Sequence, residues 1–246
     1  MTGVFISKGI KVGIPVGGLQ MSIDPSGNLQ CGKIQLQVHF DVVPSWTTLA
    51  LKHLADTQND KLARHKAWSA AVEEDKGLTL EREFQSSMQA IMSAAIALDA
   101  FYAALQDKIK IDQELRDKWR ANRTARYAQI AEVIRMAFQL KPKGSALLRN
   151  NLKDIYRLRD LAVHPSATLK DPILHPELGV GVEWRFFYFR FDHALLVVRS
   201  AVETIHELVA QGVAANEAIK EYSATLKPQF DIFSDANVLK QVSATP

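Results

Sequence analysis

The feature that most constrains the fold is one apolar stripe in the middle of the chain. Apolar residues recur there at alternating steps of four and three positions: Phe84, Met88, Ile91, Ala95, Leu98, Tyr102 and Leu105. Because an α-helix has about 3.6 residues per turn, this spacing places all of them on one face of a long helix. Such a face must be buried against other elements, so the pattern predicts a helical bundle.

Similar periodicity predicts further helices on both sides of this segment. They cover residues 45–75 (with a break near 57–60), 113–140, 145–164 and 192–209, and the central helix itself covers 84–105. Ser45, Ser145 and Asp192 can cap three of these helices at their N-termini, because a side-chain oxygen there accepts a free backbone N–H. Lys76 and Gly77 mark the boundary before the central helix, and Pro165 ends the helix over 145–164.

The first 43 residues have a different pattern, rich in glycine and turn signals. Pro-Ser-Gly-Asn at residues 25–28 predicts a turn. After it, apolar and polar residues alternate over 34–42, which predicts a half-buried strand. The interpretation is a mainly α protein: a bundle of four to five long helices with a small N-terminal β-rich appendage. Its divisions are the appendage (1–43), a helical connector (44–77), the bundle (78–212) and a C-terminal tail (213–246). The aromatic run over 184–191 predicts a short strand or extended segment.

Composition narrows the class of protein. Apolar residues make up 47% and charged residues 23% of the 246, as in folded globular domains. No apolar run reaches about 18 residues, and the start lacks a signal peptide, so a cytoplasmic protein without a membrane partner is expected. A net charge of +3 is only weakly basic. Nucleic-acid binding must therefore be argued from local clusters.

The segment 159–165 combines a permanent cation with a titratable side chain. At about 100° per residue, Arg159 falls in the same helical sector as Leu152 and Ile155. Burying an unpaired charge costs several kcal/mol, so this arginine must have a partner, line a cleft or lie at a subunit interface. His164 lies about one turn later, where the helix ends and its dipole favours a protonated imidazole.

Cleavage of an RNA phosphodiester uses these two kinds of group. A base removes the proton of a ribose 2′-hydroxyl, and a cation stabilises charge that develops on the phosphoryl oxygens. Arginine suits the second role because its planar fork can bind two phosphate oxygens. Structural roles are the alternative: His164 can cap the helix, and Arg159 can form a salt bridge within the bundle, for instance with Asp99.

The stretch Leu-Arg-Asp-Leu-Ala-Val-His-Pro at residues 158–165 resembles the R-x-x-x-x-H motif of the HEPN superfamily. In that motif a polar residue follows the arginine, and the histidine lies near a helix end. The helices predicted on either side also resemble the HEPN bundle, so the resemblance covers roughly residues 78–212. It implies a HEPN-like helical bundle.

The resemblance also implies a function: a metal-independent endoribonuclease, usually a homodimer that brings two motifs together across a shared cleft. It implies that His164 acts as general base or acid, that Arg159 binds the phosphate and that Asp160 orients one of them. The products would be a cyclic phosphate and a free 5′-hydroxyl. HEPN members often act as toxins or in antiviral defence, some with a nucleotidyltransferase-like antitoxin. This chain departs from those toxins at Ser166, where they usually carry tyrosine, and has Asp160 where asparagine is commoner.

A second group of residues is basic. Arg116, Arg120 and Arg123 lie three or four positions apart, with Trp119 among them. A basic face that contains an aromatic ring can follow an RNA backbone and stack a base. Such a run is also typical of a solvated helix face that pairs with acidic neighbours on its own helix.

The remaining histidines lack metal-ligand spacing, and no phosphate-binding glycine loop follows a strand, so neither metal nor cofactor is expected. The favoured hypothesis is an RNA-cleaving homodimer with a possible antitoxin or regulatory partner. The competing hypothesis is a non-catalytic RNA-binding or protein-interaction module, in which the bundle dimerises and the appendage docks a partner. A subunit that only inhibits a neighbouring toxin is a third.

Overall fold

The N-terminal residues form small antiparallel sheets. The computed structural model describes residues 3–7, 9–70, 73–164 and 170–240. The first sheet has the order β1-β2-β5, and β3 pairs with β4 in a separate hairpin. The strands are β1 (Gly3–Ser7), β2 (Ile10–Gly13), β3 (Met21–Ile23), β4 (Leu29–Cys31) and β5 (Gln37–Phe40). The β-rich character predicted for this part of the chain is confirmed.

The turn between β3 and β4 lies where the sequence predicts it. The Asp24 carboxylate accepts hydrogen bonds from the backbone N–H groups of Ser26 and Asn28, each at 2.9 Å. Strand β5, however, is shorter than the predicted strand over 34–42, and it is not half-buried. Val38 is 63% exposed and Phe40 is 55% exposed. The prediction was wrong there because no described element covers this face of the sheet.

The rest of the described chain is mainly helical, as predicted. The α-helices are α1 (Val43–Ser69), α2 (Glu73–Ile109), α3 (Gln113–Ala121), α4 (Arg126–Ala137), α5 (Pro142–Val163), α6 (Trp184–Tyr188), α7 (Phe191–Gln211) and α8 (Glu217–Ser234). A 3-10 helix follows at Asn237–Lys240. Between α5 and α6, the short strands β6 (Ile173–Leu174) and β7 (Gly181–Val182) form a hairpin.

Helix α2 occupies the centre of the bundle, as its apolar stripe predicts. It packs against α1, α4, α5 and α7. Ile91, Leu98 and Leu105 on this stripe are fully buried. Burial of each such side chain stabilises the fold by about 1.5–3 kcal/mol relative to leaving it exposed. Leu54 of α1 and Leu226 of α8 belong to the same cluster of buried side chains, so both helices share this core.

The first two helices differ in their limits from the prediction. Helix α1 begins at Val43, ahead of the predicted cap Ser45, and it is continuous through the residues where a break was predicted. The Thr57 hydroxyl donates to the His53 carbonyl at 2.7 Å, so this polar residue is accommodated without a break. The predicted boundary at residues 76–77 lies inside α2, which begins at Glu73.

The predicted long helix over 113–140 is two helices, α3 and α4, separated by residues 122–125. Arg123 has a positive φ of 47°, which ends helical geometry there. Helix α5 begins at Pro142 and not at Ser145, because proline fits the first turn of a helix. It ends at Val163, with His164 as its C-cap. Pro165, predicted to end the helix, lies outside the described residues.

The C-terminal third is more helical than the sequence indicated. The aromatic run contains α6, not a strand, and the Glu183 side chain caps α6 by accepting the Arg185 N–H at 2.8 Å. Arg190 is the N-cap of α7, and the predicted cap Asp192 lies in its first turn. Beyond Gly212, the tail forms the 18-residue helix α8 where only a short helix was predicted.

Within the described part of the chain, α2 is long and apolar enough to span a membrane by length and composition alone. Of its most apolar window, 56% is buried inside the protein. The core helix of a soluble protein passes the same test. The cytoplasmic location therefore stays a prediction.

Candidate active site at the end of helix α5

Arg159 lies in the last turns of α5, at the edge of the core. Its side chain is 31% exposed, and its Nη1 donates to the Asp160 carboxylate at 2.8 Å. That hydrogen bond raises the pKa of the Arg159 guanidinium, so the group stays charged. Arg159 also lies 5.8 Å from the centre of the Tyr156 ring. Arg159 was predicted to lie in the apolar sector of α5. Its guanidinium instead reaches the surface, where it is partly accessible to solvent.

The salt bridge considered between Arg159 and Asp99 is not formed. Asp99 instead accepts a hydrogen bond from Arg126 Nε at 2.6 Å. Tyr156 lies beneath Arg159, and its hydroxyl donates to the Ala95 carbonyl at 3.3 Å. Burial raises the pKa of the Tyr156 hydroxyl, so it stays neutral. The Arg159 guanidinium therefore lies near the uncharged ring of Tyr156, which its own hydrogen bond holds in place.

His164 is exposed at the C-terminal end of α5. Its backbone N–H donates to the Asp160 carbonyl at 3.0 Å, which completes the last turn of the helix. Within the described residues its imidazole makes no hydrogen bond or ion pair. The capping role considered for the ring is therefore not observed: the backbone performs it, and the side chain remains available to solvent.

Helical geometry directs Arg159 and His164 to different sides of α5. Five positions at about 100° each separate them by about 140° around the axis. The backbone at His164 has already left the helix, with φ −115° and ψ 75°. The two side chains share one helix end, but no described hydrogen bond or ion pair joins them. Asp160 contacts the arginine through its carboxylate and His164 through its carbonyl.

The residues predicted to bind RNA do not form one face. Arg116 and Trp119 are only partly exposed in α3, and Trp119 packs against the core. Arg120 donates to Asp117 at 3.1 Å, in a pair that is mostly exposed. Arg123 lies beyond the end of α3, in its left-handed conformation. The prediction of one helical basic face was wrong because the helix ends at residue 121.

A different basic groove lies between α4 and α5. Its volume is about 630 Å³, and the residues that line it include Tyr127, Arg135, Arg149 and Lys153. Arg135 is neutralised by two hydrogen bonds to Glu132, at 2.7 and 2.9 Å. Arg149 and Lys153 are exposed. Lys153 precedes His164 by 11 residues, close to three helical turns, and so lies on nearly the same side of α5; Arg149 lies one turn earlier, about 60° away from His164 around the axis.

A buried ionic network joins α1, α2, the β6–β7 hairpin and the start of α7. The fully buried Arg64 donates to the carboxylates of Glu83 and Glu177. The Nζ of Lys61 lies 2.7 Å from Glu177 and 3.1 Å from Asp192. Each cation thus has a carboxylate partner, as burial of charge requires. The sequence does not reveal this network, because Lys61 and Asp192 lie 131 positions apart and its members have no recognisable spacing.

His175 is buried in the hairpin turn beside this network. Its Nδ1 accepts the Glu177 N–H at 3.3 Å. Burial, reinforced by the charge of Arg64, lowers the pKa of His175 to about 4. Burial alone would raise the pKa of Glu177, but hydrogen bonds from Lys61 and Arg64 hold it at about 2. At neutral pH the histidine is therefore uncharged and the glutamate is charged.

Comparisons test whether the motif belongs to a known family. No family model matches the chain, and neither the curated proteins nor the solved structures contain a match. The resemblance to HEPN domains rests on the residues at the end of α5 and on the helical character of the protein.

Proposed function

We propose that the protein is a metal-independent endoribonuclease of HEPN type. The observation that carries the proposal is the pair Arg159 and His164, a cation and an imidazole that both reach solvent at one end of α5. The RNA 2′-hydroxyl attacks the adjacent phosphate and displaces the 5′-oxygen. The products are a cyclic phosphate and a free 5′-hydroxyl.

Arg159 binds the phosphate, and His164 transfers a proton. In the absence of RNA, the Asp160 carboxylate pairs with the Arg159 guanidinium, but an exposed ion pair of this kind contributes less than about 1 kcal/mol of stability. A phosphate offers two oxygens to the same planar fork and can therefore displace the carboxylate. Asp160 then orients His164, whose backbone N–H donates to the Asp160 carbonyl at 3.0 Å.

The working unit is a homodimer through the bundle. The angle of about 140° between Arg159 and His164 around α5 supports this, because one protomer does not direct both side chains at a single phosphate. A second α5 packed against the first supplies the missing partner from the other chain. A role as a cytoplasmic toxin or defence protein, with an antitoxin or regulatory partner, completes the proposal.

Cleavage of labelled RNA in EDTA tests the proposal, with wild type and His164→Ala compared. The expected result is cleavage by wild type and a loss of at least about 100-fold in the variant, the usual contribution of a proton-transfer group. His39→Ala is the matched control, because His39 is also exposed but lies on β5. Equal cleavage by wild type and His164→Ala would contradict the proposal, provided that all three proteins unfold at the same temperature.

One observation favours the alternative of a non-catalytic interaction module. Large apolar side chains are more than half exposed in the N-terminal part of the chain, among them Val16, Ile23, Leu36 and Val38. Exposed apolar patches mark contact surfaces. A folded wild type that cleaves no RNA, but whose self-association is lost when Leu36 and Val38 are replaced by serine, would favour this alternative.

A further inference from the structure

A second histidine with an ordered environment lies next to α5, at the start of α7. The His193 ring stacks on Tyr188, with ring centres 6.2 Å apart, and meets the edge of Phe187 at 5.7 Å. Its Nδ1 lies 3.0 Å from the Tyr188 carbonyl oxygen. Sequence analysis did not single out His193, because nothing in the sequence reveals that α6 turns this carbonyl toward it.

These contacts fix the tautomer of the imidazole. A carbonyl oxygen can only accept, so Nδ1 must carry the proton. In the neutral ring, Nε2 then holds a lone pair. Among the described residues Nε2 has no hydrogen-bond partner, and it is not one of the sealed polar atoms. The half-buried His193 therefore holds an oriented proton acceptor that is not sealed from solvent, whereas the exposed His164 imidazole has no partner among the described residues that orients it.

Two arginines contact the aromatic rings that pack against this imidazole. Arg157 projects from the exposed face of α5, and its guanidinium lies 5.3 Å from the centre of the Tyr188 ring. Arg190 lies 4.7 Å from the centre of the Phe187 ring, and its Nη1 is buried without a hydrogen-bond partner. The Asp192 carboxylate lies 3.4 Å from Arg190 Nε, but Lys61 shares it. The net charge of the groups around His193 is therefore positive.

The same charges keep His193 neutral. Burial, followed by the cations Arg190 and Arg157, lowers its pKa, while the hydrogen bond to Tyr188 and the charge of Asp192 oppose the shift. A neutral imidazole beside two guanidinium groups is the arrangement in which a base stands next to bound phosphate. Arg157 lies seven positions before His164, about 10 Å along the axis of α5.

We propose that His193 is the general base of the same ribonuclease site, and that the exposed Arg157 binds the RNA backbone next to the phosphate held by Arg159. This inference rests on the function proposed above. His193 Nε2 removes the proton from the 2′-hydroxyl, and the O2′–P bond forms. As the P–O5′ bond breaks, a protonated His164 gives its proton to the leaving 5′-oxygen. His193 ends the step protonated and His164 ends it neutral, and no external reactant is consumed.

His193→Asn tests the proposal, because the asparagine amide can still donate to the Tyr188 carbonyl but offers no basic nitrogen. We expect cleavage to fall by about 100- to 10,000-fold. Binding of a 2′-O-methyl oligonucleotide, which cannot be cleaved, should stay within about twofold of wild type. The acidic limb of the pH–rate profile should disappear in the variant, and added imidazole should partly restore cleavage by His193→Ala. His39→Asn is the matched control.

The outcomes separate the two proposals. An active wild type whose cleavage rate and pH profile survive His193→Asn would overturn the role of His193 and leave the ribonuclease proposal intact. Loss of cleavage with tenfold weaker binding, no imidazole rescue and an unchanged pH profile would also overturn it, since that pattern is structural. A folded wild type with no cleavage would overturn both. Arg157→Gln should weaken binding of the oligonucleotide, and an unchanged affinity would remove Arg157 from the site.

Discussion

Replacement of Arg64 by methionine should be among the most destabilising single changes in the protein. The side chain is fully buried, and its hydrogen bonds to Glu83 and Glu177 are lost together. Glu177 keeps Lys61 at 2.7 Å, but Glu83, only 2% exposed, loses its single described cation. Breaking a buried pair in this way costs about 3–5 kcal/mol. For a chain of this size, that is a fall of about 6–20 °C in melting temperature.

Urea unfolding of a double-mutant cycle measures this effect. In Arg64→Met/Glu83→Gln the unpaired charge is gone, so the double variant should recover more than half of the loss caused by Arg64→Met alone. Arg120→Met is the matched control, since Arg120 is 79% exposed and its pair should contribute less than about 1 kcal/mol. The reasoning is refuted if Arg64→Met costs no more than the control, or if the two changes are simply additive.

Two further predictions concern pH and RNA binding. The pKa of His175 is about 4 in the folded protein against an ordinary value of 6.5, so the unfolded chain binds a proton at this histidine first as the pH falls. The contribution of His175 to the free energy of unfolding is complete above pH 6.5 and is lost as the pH falls to 4. His175→Asn should therefore reduce the dependence of the free energy of unfolding on pH in this range, measured by urea unfolding at several pH values. The same dependence in wild type and variant would refute this prediction. Arg149→Gln/Lys153→Gln should weaken RNA binding and reduce its salt dependence more than Arg120→Gln/Arg123→Gln, because Arg149 and Lys153 line one groove, whereas Arg120 is paired with Asp117. Fluorescence anisotropy at 50 and 200 mM salt checks this, and equal effects would contradict it.

The helical class could be predicted because it depends on local periodicity. The stripe through Leu98 lies on a buried helix, since an apolar face that repeats with the helical period has few other ways to be covered. The limits of the helices were harder to predict. The predicted caps Ser45 and Ser145 both lie inside helices that start two or three residues earlier, next to prolines that fit a first turn.

The candidate site could be predicted only where it is local in sequence. Arg159, Asp160 and His164 occupy one helix end, so their proximity follows from spacing. The neighbours of His193 could not be found in this way. Its tautomer depends on the Tyr188 carbonyl, and Arg157 approaches from another helix. The network of Arg64 depends likewise on contacts between α1, α2 and a hairpin, which periodicity does not specify.

The most direct test of the central claim is the chemistry of the RNA ends. RNA would be incubated with wild type and His164→Ala in EDTA, and the products analysed by mass spectrometry for 2′,3′-cyclic phosphate and 5′-hydroxyl termini. We expect both termini with wild type and neither with the variant. Products that carry 5′-phosphates, or termini that are the same with both proteins, would contradict attack by the 2′-hydroxyl at the end of α5.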